Sequence, residues 1–164
     1  GTIMATGDIL VYNGTAKVAK SSGGDATFTF TSVANGAGRV SGSLDMGTPR
    51  AGRYRVQVQY KGAATPTAGA ALEVYLARSD DNTTRDGNLG ASDAAVSDAD
   101  IRAQCLFCGN LPMDNVTTQP VASFEVETGA RYLSALLWNS TGSAASSTAA
   151  DHVVTITPII TQVQ

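Results

Sequence analysis

The sequence predicts a single all-β domain: an antiparallel β-sandwich of the jelly-roll type with nine or ten short strands. Three observations predict this fold. Charged residues make up only 15% of the chain, beside 43% hydrophobic residues and 17 glycines, which suits strands and turns. Apolar and polar residues alternate with a period of two, and turn residues separate the alternating runs. The length of 164 residues is that of one domain, so we expect residues 1–164 to share one core.

The alternating runs mark the individual strands in chain order. The clearest run is residues 54–60, in which four apolar side chains face one way and three polar side chains face the other. The expected strands span residues 9–11, 15–20, 26–33, 38–44, 53–60, 71–79, 103–108, 121–127, 131–138 and 152–161. So many short strands favour two packed antiparallel sheets.

Turn signals fall between these runs. The dipeptide Asn13-Gly14 is typical of β-hairpins and predicts a turn between the first two strands. Residues 1–20 are therefore expected to form an N-terminal hairpin or arm. Further turn signals lie at residues 22–25, 35–36, 49–52 and 128–129.

Two of the expected strands are apolar on both faces. In residues 132–138, Tyr132, Leu136 and Trp138 lie opposite the apolar face that would point into the core. In residues 153–160, Val153 and Ile159 do the same. A strand of this kind is covered on its outer side either by another segment of the same chain or by a partner surface. We therefore name these five residues as candidate partner contacts and leave both kinds of cover open.

The longest segment without clean alternation is residues 79–101. It holds six aspartates and one arginine, a surplus of five negative charges. Long loops of this kind are usually functional or mobile. Asp80, Asp81 and Asp86 are our candidate contacts to a basic or hydrogen-bond-rich partner. The segment resembles a calcium loop in composition only, because its glycine and acidic positions miss the required offsets.

The residues needed for catalysis are scarce. His152 is the only histidine, and no serine or cysteine motif accompanies it, so we expect it to be structural. Cys105 and Cys108 form half of a zinc site without a second ligand pair, and we interpret them as ordinary thiols on opposite faces of a strand. We expect no enzymatic activity, no metal and no cofactor.

Charge and hydropathy limit the possible partners. The net charge of −3 argues against a nucleic-acid partner, which requires a basic face. The apolar runs are too short to span a bilayer, so we expect no membrane contact. The first residues lack the pattern of an export signal, and we expect synthesis in a cytoplasm.

Several segments together resemble a known family. They are residues 72–81, 85–90, 92–93, 109–112 and 127–133, followed by Trp138-Asn139. In these the sequence resembles the decoration, or cement, proteins of tailed bacteriophage capsids, which have a jelly-roll fold. The resemblance covers roughly residues 50–160 and rests on structural rather than catalytic motifs. It implies a homo-oligomer, dimer or trimer, on the virion surface. There it would bind the major capsid protein and cement neighbouring subunits.

One alternative of another class stays open. A β-sandwich with exposed aromatic rings also suits a carbohydrate-binding or receptor-binding module of a tail fibre or secreted enzyme. Aromatic residues are only 6% of this chain, however, and most of them alternate into the expected core.

Overall fold

The computed structural model describes residues 7–48, 51–114 and 120–163. These residues form two six-stranded sheets, and the predicted antiparallel β-sandwich is confirmed. Sheet A has the order β10-β6-β12-β2-β3 with β1 also on β12, and sheet B has the order β8-β4-β11-β7-β9 with β5 also on β11. The strands are β1 (Ile9–Asn13), β2 (Lys17–Lys20), β3 (Ala26–Thr27), β4 (Ala37–Val40), β5 (Leu44–Asp45), β6 (Arg53–Gln59), β7 (Ala71–Ser79), β8 (Ala94–Val96), β9 (Leu106–Pro112), β10 (Val121–Glu127), β11 (Tyr132–Ser140) and β12 (Val153–Val163).

The long strands alternate between the sheets, as in a jelly roll. The chain passes from β6 in sheet A to β7 and β9 in sheet B, returns to β10 in sheet A, and then forms β11 in sheet B and β12 in sheet A. All but one of the strand pairs are antiparallel; β2 and β3 run parallel. Each sheet turns one face to the other, so alternate side chains enter a common core.

The core is built from those alternate side chains. Tyr54, Val56, Val58 and Tyr60 of the clearest alternating run are fully buried, as predicted. Leu72, Val74 and Leu76 of β7 meet them from sheet B in the same cluster. Because one face of each strand supplies the core, the other face is left for surface contacts.

The predicted N-terminal hairpin is not observed. β1 and β2 do not pair with each other; both pair with β12, β1 along Ile159–Val163 and β2 along Val154–Ile156. Gly14 lies between them and donates its backbone N–H to Pro158 O over 2.8 Å. A two-residue hairpin turn is prevented because the long β12 offers both segments a partner on the same side. Residues 1–6 of the predicted N-terminal segment lie outside the described residues.

Other boundaries also differ from the prediction. The run 26–33 forms regular strand only at Ala26–Thr27, and the strand expected at 103–108 is β9, Leu106–Pro112. Residues 103–105 form a turn rather than strand. They directly follow the short helix α1 (Ala99–Arg102), which is capped where the Asp98 side chain accepts the Asp100 N–H. β3 and β5 have two residues each, and β8, which was not expected from the sequence, has three. In the turn expected at 49–52, residues 49 and 50 lie outside the described residues.

The acidic segment covers the outer face of sheet B. Val96 of β8, Ile101 of α1 and Leu89 pack against Leu136 and Trp138 of β11 in a second apolar cluster. Of the two covers considered for this strand, a segment of the same chain is therefore the one observed. We call residues 86–103 the cover segment. No helix among the described residues is long and apolar enough to cross a membrane.

Candidate functional site

The candidate contacts named from the sequence fall into separate places. Asp80, Asp81 and Asp86 lie together at one end of the sandwich, beside Tyr132. Leu136 and Trp138 are buried, with 4% or less of each residue exposed, because the cover segment lies on them. They are therefore not available on the surface of this chain.

The three aspartates line a cleft of about 750 Å³ between residues 78–86 and the 128–130 turn. Asp81 accepts the backbone N–H groups of Thr83 and Thr84 over 2.8 and 2.7 Å. It also accepts the Ser79 hydroxyl over 3.1 Å. These hydrogen bonds to the charged form lower the pKa of Asp81 to about 2. The carboxylate thus shapes its own loop.

The other charges of the cleft are also bound within the chain. The Asp86 carboxylate accepts the Arg78 Nε–H over 2.6 Å and the Arg78 backbone N–H over 3.1 Å. Arg85 is 5% exposed, and its guanidinium donates to Ser134 Oγ and Asn82 Oδ1. Burial lowers the pKa of Arg85, while the nearby aspartates oppose that effect. The carboxylates of Asp81 and Asp86 are therefore satisfied by donors of the same chain.

A bidentate ion pair fastens the cover segment to sheet B. Arg39 Nε and Nη2 donate to the two oxygens of Asp93 over 2.7 and 2.8 Å, and Thr29 donates to the same carboxylate. Burial of Asp93 opposes ionisation, but the Arg39 and Thr29 hydrogen bonds outweigh it and the pKa is lowered. Most of the predicted loop, residues 86–101, thus serves to cover the sheet.

Tyr132 stands at the start of β11 next to a surface ion pair. Arg131 Nη2 lies 2.8 Å from Asp45 Oδ2, and its guanidinium carbon lies 5.1 Å from the centre of the Tyr132 ring. Hydrogen bonds from Arg131 and from the Gly47 N–H lower the pKa of Asp45 to about 2. Tyr132 itself is half-buried. It is the one aromatic residue among the sequence candidates that reaches the surface.

The two β12 candidates lie far apart along the strand. Val153 is half-buried and pairs with Gln59 at one end of sheet A. Ile159 is 5% exposed and pairs with Arg53 at the other end. Between them Thr155 and Thr157 take the outward positions, so β12 is not apolar along its whole outer face. The sequence pattern predicted an apolar outer face along all of β12, but Val153 and Ile159 expose little apolar surface.

The most exposed apolar surface lies where the sequence analysis named no contact residue. Beyond Ile159, where β6 ends, the last residues of β12 pair with β1 alone. We call this two-stranded ribbon, Ile9–Asn13 with residues 160–163, the arm. Its exposed fractions are 65% for Ile9, 56% for Val11, 40% for Tyr12 and 69% for Val163. The signal in the sequence was the run Ile9-Leu10-Val11-Tyr12, which is apolar without alternation and carries no charge.

The arm projects from the same end of the sandwich as the aspartate cleft. β6 begins there at Arg53, and β7 ends there at Ser79, opposite Tyr132. Two smaller clefts lie at the base of the arm. One is between Pro158 and the 45–48 loop, and the other is beside Ile159 and Arg53. We call this region the arm end. It combines exposed apolar side chains with charged rims.

A second surface cluster lies on the outer face of sheet B, beside the cover segment. The Phe107 ring is 52% exposed and its centre lies 5.3 Å from that of Tyr75. The Tyr75 hydroxyl donates to Glu73 Oε2 over 2.8 Å, and Arg102 Nη1 lies 3.1 Å from the same oxygen. Ser140 Oγ donates to the other Glu73 oxygen over 3.3 Å. An exposed ring thus adjoins a fixed carboxylate; we call this group the Phe107 cluster.

The single histidine, His152, lies in the core of the sandwich. His152 is fully buried against Phe30 and Tyr60, with Nε2 3.0 Å from Ser146 O. Burial lowers its pKa, although Ser146 and Asp151 act in the opposite direction. This environment is that of a core histidine.

The two cysteines are free thiols. The expectation that both lie on one strand is wrong, because Cys105 follows α1 and only Cys108 belongs to β9. Burial raises the pKa of Cys105 to about 11 and that of Cys108 to about 12. Within residues 7–48, 51–114 and 120–163 no group of three or more His, Cys, Asp or Glu side chains is arranged to hold a metal ion.

No family model matches this sequence, and no curated protein matches it. Among solved structures it is similar to the CBM35 from Cellvibrio japonicus Abf62, with 13% identity, a TM-score of 0.40 and coverage of 95% of this chain and 97% of that chain. It is also similar to the CBM22-1 xylan-binding domain from Paenibacillus barcinonensis Xyn10C, with 14% identity, a TM-score of 0.41 and coverage of 96% of both chains. The architecture is defined by the strand pairing within the two sheets.

Proposed function

We propose that the protein is a structural virion protein that binds the outer face of a tailed-phage capsid and ties neighbouring major capsid protein subunits together. The observation that supports a docking function is the exposed apolar surface of the arm. Four of its side chains are well exposed and apolar, and no charged residue lies among Ile9–Asn13 or 160–163. The identity of the partner comes from the sequence resemblance to decoration proteins.

The physical reason for docking lies in the poor stability of the arm by itself. A two-stranded ribbon is only marginally stable in water. Removing apolar surface from water stabilises a protein by about 25 cal/mol for each Å² buried, and the exposed side chains of the arm forgo this free energy. A capsid surface that receives the arm removes that area from water. Many copies on one lattice then act together, so a modest contact per copy is enough.

The charged residues around the arm end are expected to orient the protein as it approaches the capsid, more than to increase its affinity for the capsid. Asp80 and Asp81 are exposed, and the Arg131–Asp45 pair stands nearby. Rim charges mainly change the rate of encounter and its dependence on salt.

The test is co-sedimentation of the protein with capsids that lack their decoration protein. A Val163→Lys variant places a charge on the arm face and is expected to lower capsid occupancy at least tenfold. The matched control is Val121→Lys on β10, because Val121 is 53% exposed but does not belong to the arm. Equal binding by both variants and the unchanged protein contradicts docking through the arm.

A second candidate function is carbohydrate binding at the Phe107 cluster. The observation that favours it is the side chain of Phe107, which is 52% exposed and lies near Glu73. The Glu73 carboxylate is held in place by Tyr75, Ser140 and Arg102. A flat apolar ring next to fixed hydrogen-bonding groups suits a sugar ring, which has C–H faces and hydroxyl edges. This candidate rests on those residues.

The second candidate is tested with a glycan array followed by calorimetry on any glycan retained. Phe107→Ala is expected to abolish the retained binding, whereas Val121→Ala, which removes a side chain of similar exposure, is expected to leave it unchanged. An array without any retained glycan, or binding that survives Phe107→Ala, removes this candidate and leaves the capsid function untouched.

A further inference from the structure

We propose that two copies of this chain pair through the free edge of β1, antiparallel about a two-fold axis, so that their arms form one four-stranded ribbon. The proposal rests on the docking function above and names the first partner of the arm, a second copy of the chain. Strand pairing along an edge uses backbone groups. The apolar faces of the joined arms therefore stay available for the capsid.

The edge of β1 is open in the described residues. β1 pairs with β12 on one side, and no strand pairs with its other side. An unpaired edge presents a row of N–H and C=O groups that can accept another strand. β2, which continues along β12 after β1, has its own outer edge partly closed by β3. On this side of β12, β1 is therefore the strand whose outer edge no described strand covers.

The other free edges of the two sheets carry features that discourage pairing. β10 bears Glu125 and Glu127, and β9 is interrupted by a register shift opposite Val74/Tyr75 and ends at Pro112. β3 and β8 have two and three residues. Charges, bulges, prolines and short length are the usual protections of a sheet edge. β1 is five residues long and has none of them.

The charge pattern favours a second copy of this chain as the partner. In a two-fold interface each residue near the axis approaches its own equivalent, so any charge there meets a like charge. β1 consists of Ile, Leu, Val, Tyr and Asn, and the part of β12 beside it, residues 160–163, is also uncharged. A two-fold pairing of β10 would instead set its glutamates near one another. β1 is therefore suited to pair with itself.

Pairing also changes the stability of the arm. Two joined arms make a ribbon of four strands, above the number at which a sheet with an apolar face becomes stable. The cross-strand pairs Ile9↔Val163 and Val11↔Thr161 lie on one face, and Leu10↔Gln162 and Tyr12↔Ile160 on the other. Pairing doubles both faces, and the doubled face is the surface that the proposed function presents to the capsid.

The test is the mass of the purified chain in the absence of capsids, by sedimentation velocity from about 1 to 100 μM. We expect a dimer that Val11→Lys converts to monomer, with unchanged circular dichroism. The matched control Val121→Lys is expected to remain dimeric. A wild-type chain that is monomeric across this range overturns the pairing, as does a dimer that persists in Val11→Lys.

A second measurement uses the unchanged protein, so its outcome does not depend on whether Val11→Lys folds. In the unchanged protein, hydrogen exchange at the backbone amides of residues 9–13 is expected to quicken on dilution, while β7 amides stay protected. Exchange that is independent of concentration overturns the pairing. The two proposals fail separately: a monomer that binds capsids leaves docking intact, and a dimer that does not bind them leaves the pairing intact.

Discussion

The ring of Phe124 on β10 occupies the space that a side chain at Gly109 would need. A Cβ built on Gly109 would lie 2.3 Å from Phe124 Cδ1, and Gly109 has a φ of 157° at the register shift in β9. The two residues stand on edge strands of opposite sheets. Their close approach joins the two sheets along one side of the sandwich.

Replacing Gly109 by Ala is therefore expected to destabilise the fold by about 1–3 kcal/mol, because overpacking forces the ring or the strand to move. Urea denaturation measures the change. Gly90→Ala is the control, since nothing lies within 4 Å of a Cβ there. The double variant Gly109→Ala/Phe124→Leu is expected to recover part of the loss; no recovery would mean that the ring is not the obstacle.

His152 predicts a pH dependence of stability. Burial lowers its folded pKa below the ordinary value of 6.5, so the unfolded chain binds the proton more readily. Stability from this group is present above about pH 6.5 and decreases as the pH falls below it. Thermal unfolding between pH 5 and 8 checks this, with His152→Gln as comparison. An equally steep slope in both proteins would rule out His152 as the source.

The cover segment predicts a fluorescence signal, because Trp138 is the only tryptophan and is 4% exposed beneath it. Asp93→Asn removes the anchor to Arg39 and is expected to cost about 1–3 kcal/mol and to shift the emission to longer wavelength. Glu125→Gln is the control, because its contacts with Arg53 and Arg55 are exposed and 3.6 to 3.7 Å long. Its effect is expected to stay below about 1 kcal/mol. Emission unchanged in Asp93→Asn would contradict the anchoring role.

The thiols predict slow chemical modification. With pKa values raised to about 11 and 12, Cys105 and Cys108 hold little thiolate at neutral pH. A thiol-reactive dye is expected to label the native protein at least tenfold more slowly than the urea-unfolded chain. Replacing both by Ala is expected to cost about 1–3 kcal/mol per residue through lost packing. Rapid native labelling, or stoichiometric zinc by elemental analysis, would overturn this.

The strands that alternate cleanly could be predicted from the sequence. The bounds of β7 and β10 match the prediction residue for residue. The alternating pattern assigns each side chain to a face of the strand, and the places where the pattern stops mark where the strand begins and ends. The pairing of β1 could not be predicted. Asn13-Gly14 favours a hairpin locally, and only the length of β12, a distant element, decides against it.

The candidate contacts show the same division. The doubly apolar faces were visible at Leu136 and Trp138, but their cover is supplied by a segment about 40 residues earlier in the chain. Aspartates 80, 81 and 86 were found as a group, but local pattern cannot tell which carboxylates bind the chain's own donors. The exposed arm residues were missed because an apolar run predicts burial unless the strand outgrows its sheet.

The many partners of β12 have a consequence for the order in which the molecule folds. β12 pairs with β6 about 100 residues earlier, with β2, and with β1 about 150 residues earlier. Sheet A therefore cannot close before residues 153–163 have been synthesised, and until then β1 lacks its partner and β2 has only the short β3. Such distant pairings slow folding to the millisecond-to-second range. During that wait the apolar run of β1 is exposed to other nascent chains, so early availability of β12 favours a high yield.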